Sequence, residues 1–149
     1  MKSNDVRRQV AEALAACENK KAEHAVILEL EKGSGAFTDY FLICSGSNPR
    51  QIQAISDEVE ERLSHAGLRP AHVEGYQQAE WVLLDYIDFV VHVFSSKARD
   101  FYNLERLWKS AKHLTPSELK APAKRATAAR RPPSGKKRTA RPRRSTGSA

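Results

Sequence analysis

The composition of the chain changes abruptly after Thr115, and this change limits the part that can fold. Residues 115–149 hold five of the seven prolines, 11 lysines and arginines, a single acidic residue, Glu118, and no aromatic residue. Such a segment buries too little apolar surface to offset the entropy lost on ordering. Residues 1–114 carry 14 basic and 17 acidic side chains and are long enough to bury their own core. The sequence therefore predicts one mildly acidic domain over 1–114 and a disordered, Lys/Arg/Pro-rich tail over 115–149.

Several classes of protein are excluded by the apolar pattern. Apolar runs are about four residues long, as in Phe41-Leu42-Ile43-Cys44, whereas a membrane span needs roughly 20. The N-terminal residues include Asp5 and Glu12 and show no apolar leader, so we expect a cytoplasmic protein. Cys17 and Cys44 stand singly on apolar faces, which predicts reduced thiols in the core.

The spacing of apolar residues predicts the order helix–strand–strand–helix–strand–strand–strand–helix. The strands are expected at 25–30, 39–44, 70–73, 80–84 and 89–94. The helices are expected from Ser3 or Asn4, from Pro49 to Gly67, and from Ser95 or Ser96 to before Pro116. Strands 80–84 and 89–94 are apolar on successive residues, which predicts burial on both faces. This order favours an α/β fold with a mixed β-sheet flanked by helices.

The last helix and the start of the tail carry two more specific predictions. Phe101, Leu104, Leu107, Trp108 and Ala111 are spaced to share one face of a continuous helix. Thr115-Pro116-Ser117-Glu118 resembles a capping box, and because no apolar run follows it, at most one helical turn is expected.

Three aspartates are candidates for metal binding or acid–base chemistry. Asp85 and Asp88 are three residues apart across a predicted turn, whereas two carboxylates that share a metal from one strand should be two apart. Their side chains are therefore better explained as turn formers. Asp39 is favoured as the residue that starts a strand.

Glycine-rich turns and one histidine are the other candidates. Gly33-Ser34-Gly35 and Ser45-Gly46-Ser47 match neither phosphate-binding pattern, and tight turns are favoured. His92 lies within an apolar strand; a buried base is one interpretation, and a core histidine bonded to a neighbouring strand or to a carboxylate is favoured. No sequence motif indicates a cofactor, a metal or a nucleophile with its base.

Large aromatic residues are concentrated between positions 81 and 108. Phe101 and Tyr102 are adjacent in a predicted helix, about 100° apart, so both cannot point into one core. Core packing is favoured for Phe101 and Trp108, whereas Trp81 and Tyr102 are candidates for a protein-binding surface.

Six sequence blocks, in order, resemble the ribosomal silencing factor S (Iojap-like) family over residues 4–114. They are Phe37-Thr38-Asp39-Tyr40-Phe41, Arg50-Gln51-Ile52-Gln53-Ala54-Ile55, Glu74-Gly75, Trp81-Val82-Leu83-Leu84-Asp85-Tyr86, Asp88-Phe89-Val90-Val91-His92-Val93-Phe94 and Phe101-Tyr102-Asn103-Leu104-Glu105-Arg106-Leu107-Trp108. The chain departs from the family at Ile87, where glycine is usual, and in its basic tail.

The resemblance implies a translational repressor with a nucleotidyltransferase-like topology and a homodimer in isolation. It implies binding to the large ribosomal subunit at its subunit-joining face, through the fourteenth large-subunit protein, so that the small subunit is sterically blocked from joining. It implies no catalysis. Among the matching positions, we expect the partner to contact Trp81, Leu84, Phe101, Tyr102, Asn103, Arg106 and Leu107.

Two further hypotheses remain open at this point. One is a Mg²⁺-dependent, nucleotidyltransferase-like enzyme that uses Asp39, Asp85 or Asp88. The other concerns the tail alone, whose basic residues predict sequence-independent contacts with the phosphates of rRNA.

Overall fold

The computed structural model describes residues 2–31 and 38–120. The elements are α1 (Lys2–Asn19), β1 (Glu23–Glu29), β2 (Tyr40–Gly46), α2 (Pro49–His65), β3 (His72–Glu74), β4 (Trp81–Asp85), β5 (Phe89–Ser95), α3 (Ser96–Tyr102), α4 (Leu104–Leu107), β6 (Lys112–Leu114) and α5 (Pro116–Lys120). The predicted order is confirmed as far as β5. The Gly33-Ser34-Gly35 turn lies outside the described residues.

The strands form one six-stranded mixed sheet in the order β3-β4-β5-β2-β1-β6. β2 and β5 are parallel neighbours, with Leu42 opposite Val91, and every other pair is antiparallel. The prediction of a mixed α/β sheet flanked by helices is therefore confirmed.

Helices α1 and α2 cover one face of the sheet. Asn48 caps α2, since its side-chain oxygen accepts a bond from the Gln51 N–H at 2.8 Å, and Pro49 occupies the first helical position. The apolar stripes of the two helices meet the inward-facing residues of the central strands. The buried members include Val10, Leu14, Cys17, Ile52, Ile55, Val59, Leu63, Leu42, Val82, Leu84 and Val91.

On the opposite face, the covering helices in the described part of the chain are the short α3 and α4. Its buried residues include Phe41, Ile43, Val90, Phe94, Ala98 and Leu104. Side chains of β4 on this face are only half-buried, whereas β5 is buried on both faces. The prediction of two-sided burial is thus confirmed for β5 and wrong for β4, because no helix within residues 2–31 and 38–120 extends over the outer part of this face.

The predicted continuous last helix is wrong. Asn103 adopts a left-handed conformation, with φ of 46°, which ends α3 and starts α4. Asparagine tolerates this conformation better than most residues, and its side chain also accepts a bond from the Arg106 N–H at 3.2 Å. After α4 the chain adds a sixth strand, which pairs with β1.

The folded part extends past Leu114 to at least Lys120. The predicted capping box is present, because the Glu118 carboxylate accepts a bond from the Thr115 N–H at 2.8 Å. The short helix α5 that follows packs on α1 and buries Leu119, which is 2% exposed. The helix α5 therefore lies beyond the expected boundary at 114, and it is anchored on α1 by buried Leu119 and by a hydrogen bond from Arg7 to the Glu118 carbonyl. Residues 121–149 lie outside the described part of the chain.

Candidate surface for protein binding

Trp81 lies on the face of the sheet that α3 and α4 cover, and specific contacts hold it there. Its indole Nε1–H donates to Nδ1 of His92 at 3.0 Å. The indole also stacks on Phe94, with ring centroids 5.0 Å apart, and contacts Tyr102 at 4.6 Å. The side chain is half-buried, so one edge of a fixed ring faces solvent.

His92 supports Trp81 from inside the sheet. The imidazole is 3% exposed, and burial lowers its pKa from 6.5 to about 3, so the ring is neutral at physiological pH. Because Nδ1 accepts the indole bond, the ring proton lies on Nε2, for which the described residues supply no hydrogen-bond partner. The prediction of a core histidine bonded to a neighbouring strand is confirmed.

The corner between α3 and α4 is fixed by a largely buried arginine. The guanidinium of Arg99 donates to the Glu105 carboxylate at 2.9 Å and to the Ser45 hydroxyl at 3.0 Å. The Arg99 side chain is 11% exposed. Since charge-assisted bonds in a partly buried site hold their geometry, this network ties the corner to the end of β2.

The corner turns three large apolar side chains outward. Phe101 is 80% exposed, Leu107 is 71% exposed and Tyr102 is 45% exposed. Together with Trp81 they form a contiguous set through the contacts of Tyr102, whose ring lies 5.0 Å from Phe101 and 4.6 Å from Trp81. We call Trp81, Phe101, Tyr102 and Leu107 the apolar patch.

Polar residues border the apolar patch. A groove of about 430 Å³ beside it is lined by Phe101, Tyr102, Leu107, Asn103, Arg106, Lys109 and Asp100. An apolar centre with a polar and charged rim is the usual composition of a protein-binding surface.

The structure brings six of the seven predicted contact residues to one surface and excludes the seventh. Asn103 and Arg106 are exposed beside the patch. Leu84 is fully buried against α1 and α2, on the other face of the sheet, so its inclusion is wrong. Because side chains alternate along a strand, Leu84 cannot share a face with Trp81, three residues earlier.

Two other expectations about this surface change. The prediction of core packing is wrong for Phe101, which is exposed. It is confirmed for Trp108, which is half-buried against the core residues under α3 and α4. Leu83 was missed: it lies two residues from Trp81 on the same face and is half-buried. The alternation of side chains along β4 would have placed Leu83 on the same face as Trp81.

The candidate aspartates have local structural roles. The Asp85 carboxylate accepts a bond from the Ile87 N–H at 2.8 Å, as expected of a turn former. The Asp39 N–H donates to the Asp88 carbonyl at 3.0 Å, which joins the start of β2 to this turn. Over residues 2–31 and 38–120, no three His, Cys, Asp or Glu side chains are grouped so that they could hold a metal ion.

The two cysteines are buried thiols, as predicted, but they are not isolated from one another. Cys17 of α1 and Cys44 of β2 lie with their sulfur atoms 3.8 Å apart. Their mutual hydrogen bond and their burial raise the pKa of Cys17 well above its ordinary value. Cys17 is therefore a protonated thiol at neutral pH, and both cysteines lie in the core. No helix among the described residues has the length and apolar character required to cross a membrane.

The fold and this surface define a class of protein: a small mixed α/β domain that exposes an aromatic and aliphatic patch on one incompletely covered face of its sheet. Comparison with known proteins identifies its family. The profile of the family described as "Ribosomal silencing factor during starvation" matches residues 3–143. The chain belongs to this family.

Curated relatives agree with the family assignment. The chain is 44% identical over 99 residues to the ribosomal silencing factor of Bacillus subtilis, covering 66% of this chain and 83% of that protein. It is 46% identical over 99 residues to the silencing factor of Halalkalibacterium halodurans, covering 66% of this chain and 84% of that protein. A mouse protein named "Mitochondrial assembly of ribosomal large subunit protein 1" is 31% identical over 75 residues, covering 48% of this chain and 33% of that protein.

Two solved structures share the fold. A Chromobacterium violaceum protein is 31% identical, with a TM-score of 0.65, over 68% of this chain and 84% of its own. A Bacillus halodurans protein is 40% identical, with a TM-score of 0.62, over 71% and 95%. The nucleotidyltransferase-like topology implied by the resemblance stays a prediction.

Proposed function

We propose that the protein represses translation in the cytoplasm by binding the large ribosomal subunit and sterically blocking the small one. Membership in a ribosomal silencing family supports a regulatory role at the ribosome. The name of the mouse relative refers to assembly of the large ribosomal subunit, which favours that subunit as the partner. The fourteenth large-subunit protein, at the subunit-joining face, is the contact that the family resemblance implies.

The apolar patch is the single observation that carries this proposal. Exposing Phe101 and Leu107 to water is unfavourable in a free domain, and aromatic side chains held in one geometry lose little entropy on binding. The Arg99–Glu105 pair and the Trp81–His92 bond hold the patch in shape before the partner arrives. A preformed surface loses little entropy on binding. In this proposal the bound domain acts by its bulk alone, because it occupies the face of the large subunit that the small subunit must contact.

Charge favours a basic protein over bare RNA as the primary contact of the domain. Residues 1–120 carry 15 basic and 18 acidic side chains, a net charge of −3. Complementary charge speeds encounter and sets the register of a complex. The remaining residues, 121–149, carry ten basic and no acidic side chains, and we propose that they add contacts with rRNA phosphates.

Phe101→Ala and Leu107→Ala test the proposed surface. Both side chains are mostly exposed, so their removal should leave the fold intact and weaken binding to large subunits by about 2 kcal/mol each, roughly 30-fold. Trp81→Ala is a poorer choice, because it removes the hydrogen-bond partner of buried His92. Cosedimentation with purified large subunits measures the affinity, and light scattering during subunit reassociation measures the block.

Val73→Ala is the matched control, since Val73 is an exposed apolar residue of the edge strand β3. Its affinity should equal that of the parent. If the Phe101 and Leu107 variants also sediment with large subunits as the parent does, the patch is not the binding surface. If subunits reassociate normally at saturating protein, the proposed function is wrong.

A further inference from the structure

An acidic groove separates α1 from α2 on the side of the sheet opposite the apolar patch. It has a volume of about 490 Å³ and is lined by Glu12, Glu58, Glu61, Arg62, His65 and Ala66. Arg62 is already paired, since its Nε lies 2.9 Å from the Glu12 carboxylate. Glu58 and Glu61 therefore give the groove its net negative charge.

The negative charge continues along α2. Asp57 and Glu60 lie on the same helix, one turn or less from the groove residues Glu58 and Glu61. Burial and the neighbouring charge of Asp57 raise the pKa of Glu60. His65 lies 3.8 Å from the Glu61 carboxylate and offsets its charge only when the imidazole is protonated.

The chain itself supplies the complementary charge. α5 is held on α1, because the Arg7 guanidinium donates to the Glu118 carbonyl at 3.2 Å and Leu119 is buried. The next 29 residues, 121–149, thus start from the surface of a helix that forms one wall of the groove, and they carry ten basic and no acidic side chains. A segment of that length extends up to ~100 Å and spans about 30 Å as a random coil, so the groove is within reach.

We propose that residues 121–149 dock on the acidic groove between α1 and α2 of their own chain when no ribosome is bound. Tethering gives such a segment an effective concentration near ~1 mM at the groove, higher than that of any untethered basic peptide at ordinary protein concentrations. The contact is electrostatic and sensitive to salt. It leaves the apolar patch uncovered, so it holds the basic segment away from the partner surface until competing phosphates displace it.

Paramagnetic broadening in the full chain tests this proposal. Ser134→Cys introduces an accessible thiol for a nitroxide label, while Cys17 and Cys44 are buried. At low salt we expect the label to at least halve the intensity of amide resonances in 57–62. Amides in 101–107, on the opposite face, should keep theirs, and about 0.5 M salt should restore all of them.

Glu58→Gln with Glu61→Gln should abolish the broadening, because the change removes charge and keeps shape. Glu23→Gln with Glu74→Gln is the matched control, because both residues are exposed on strands of the sheet and the same amount of charge is removed. This control variant should keep the broadening of amides 57–62. Equal broadening on both faces, or broadening that survives Glu58→Gln with Glu61→Gln, would overturn the proposal. A mixture of ¹⁵N chains without nitroxide and ¹⁴N chains with nitroxide should show no broadening, because docking is intramolecular. Broadening in this mixture would assign the groove to the tail of a second copy instead.

Discussion

Ile87 is the residue at which local backbone preference and the fold disagree most. It has φ of 74°, and the Asp88 N–H donates to the Tyr86 carbonyl at 2.8 Å across it, which makes a three-residue γ-turn. A β-branched residue is strained in this conformation. Its neighbours over-determine the turn, since the Ile87 N–H donates to Asp85 and its carbonyl accepts from Thr38 at 2.8 Å. The turn expected for glycine therefore forms without glycine.

Ile87→Gly should raise the free energy of unfolding by about 1 kcal/mol, because relief of the left-handed strain exceeds the entropy that glycine loses on folding. Chemical denaturation measures the change. Ile87→Ala is the control, since Ile87 is 61% exposed and both variants lose the same small packing. If position 87 were unstrained, Ile87→Gly would be less stable than Ile87→Ala, because glycine loses more entropy on folding. Finding that order of stability would refute the proposed strain at Ile87.

The stability contributed by His92 depends on pH in a defined window. Its pKa is about 3 in the folded protein and near 6.5 when unfolded, so the unfolded state binds the proton first as the pH falls. Stability from this residue is fully present above pH 6.5 and is lost progressively down to pH 3, at up to about 1 kcal/mol per pH unit.

His92→Gln keeps an acceptor for the Trp81 indole and removes the titration. Urea unfolding between pH 6.5 and 4 should therefore show a slope about 1 kcal/mol per pH unit smaller for the variant than for the parent. Parallel slopes would mean that His92 is accessible to protons in the folded state.

At the scale of elements, the α3–α4 corner decides which side chains form the apolar patch. A continuous helix would have turned Phe101 and Leu107 inward with Leu104. The left-handed Asn103 ends that helix, and the Arg99–Glu105 pair fixes the direction in which the chain continues. The patch thus depends on a break in an element whose apolar spacing predicts no break.

Asn103→Ala should lower the free energy of unfolding by about 2 kcal/mol, because it loses the cap on α4 and places a Cβ in the left-handed region without local bonding. Asn103→Gly should lower the free energy of unfolding by only a few tenths of a kcal/mol, since glycine adopts the left-handed conformation freely. Thermal unfolding distinguishes the two. Equal losses for both variants would show that the backbone conformation at the corner is not what stabilises it.

At the scale of the whole molecule, the two faces of the sheet separate two kinds of surface. One face carries α1, α2 and the acidic groove, and the other carries the apolar patch. The basic segment begins at α5, on the acidic side. If both proposed contacts form, phosphate contacts by this segment and protein contacts by the patch are therefore expected to contribute independently to ribosome binding.

Deletion of residues 121–149 should reduce the salt dependence of ribosome binding. Each phosphate contact that is lost lowers the slope of log K against log salt by about 0.7 to 0.9. The shortened chain must keep residues up to Lys120, because Leu119 is part of the core. Cosedimentation at several salt concentrations measures the slope, and an unchanged slope would remove the proposed rRNA contacts.

Most elements and the general region of the candidate site were predictable. Periodicity and capping residues locate α1, α2, β2 and β5 to within about three residues, and the aromatic run from 81 to 108 marks the surface. The error at Leu84 was avoidable, since the period of a strand places it opposite Trp81. The break at Asn103 was not avoidable in this way, because asparagine also occurs inside helices.

The sequence by itself determined the α/β class, the family and the charge contrast between the domain and its basic segment, because these depend on local spacing and composition. Only the tertiary structure decided that one sheet face stays partly uncovered, that Leu119 anchors α5 on α1, and that Phe101 faces solvent. Those outcomes depend on which distant elements pack together, and no local pattern in the chain encodes the packing of a helix against a strand far away in sequence.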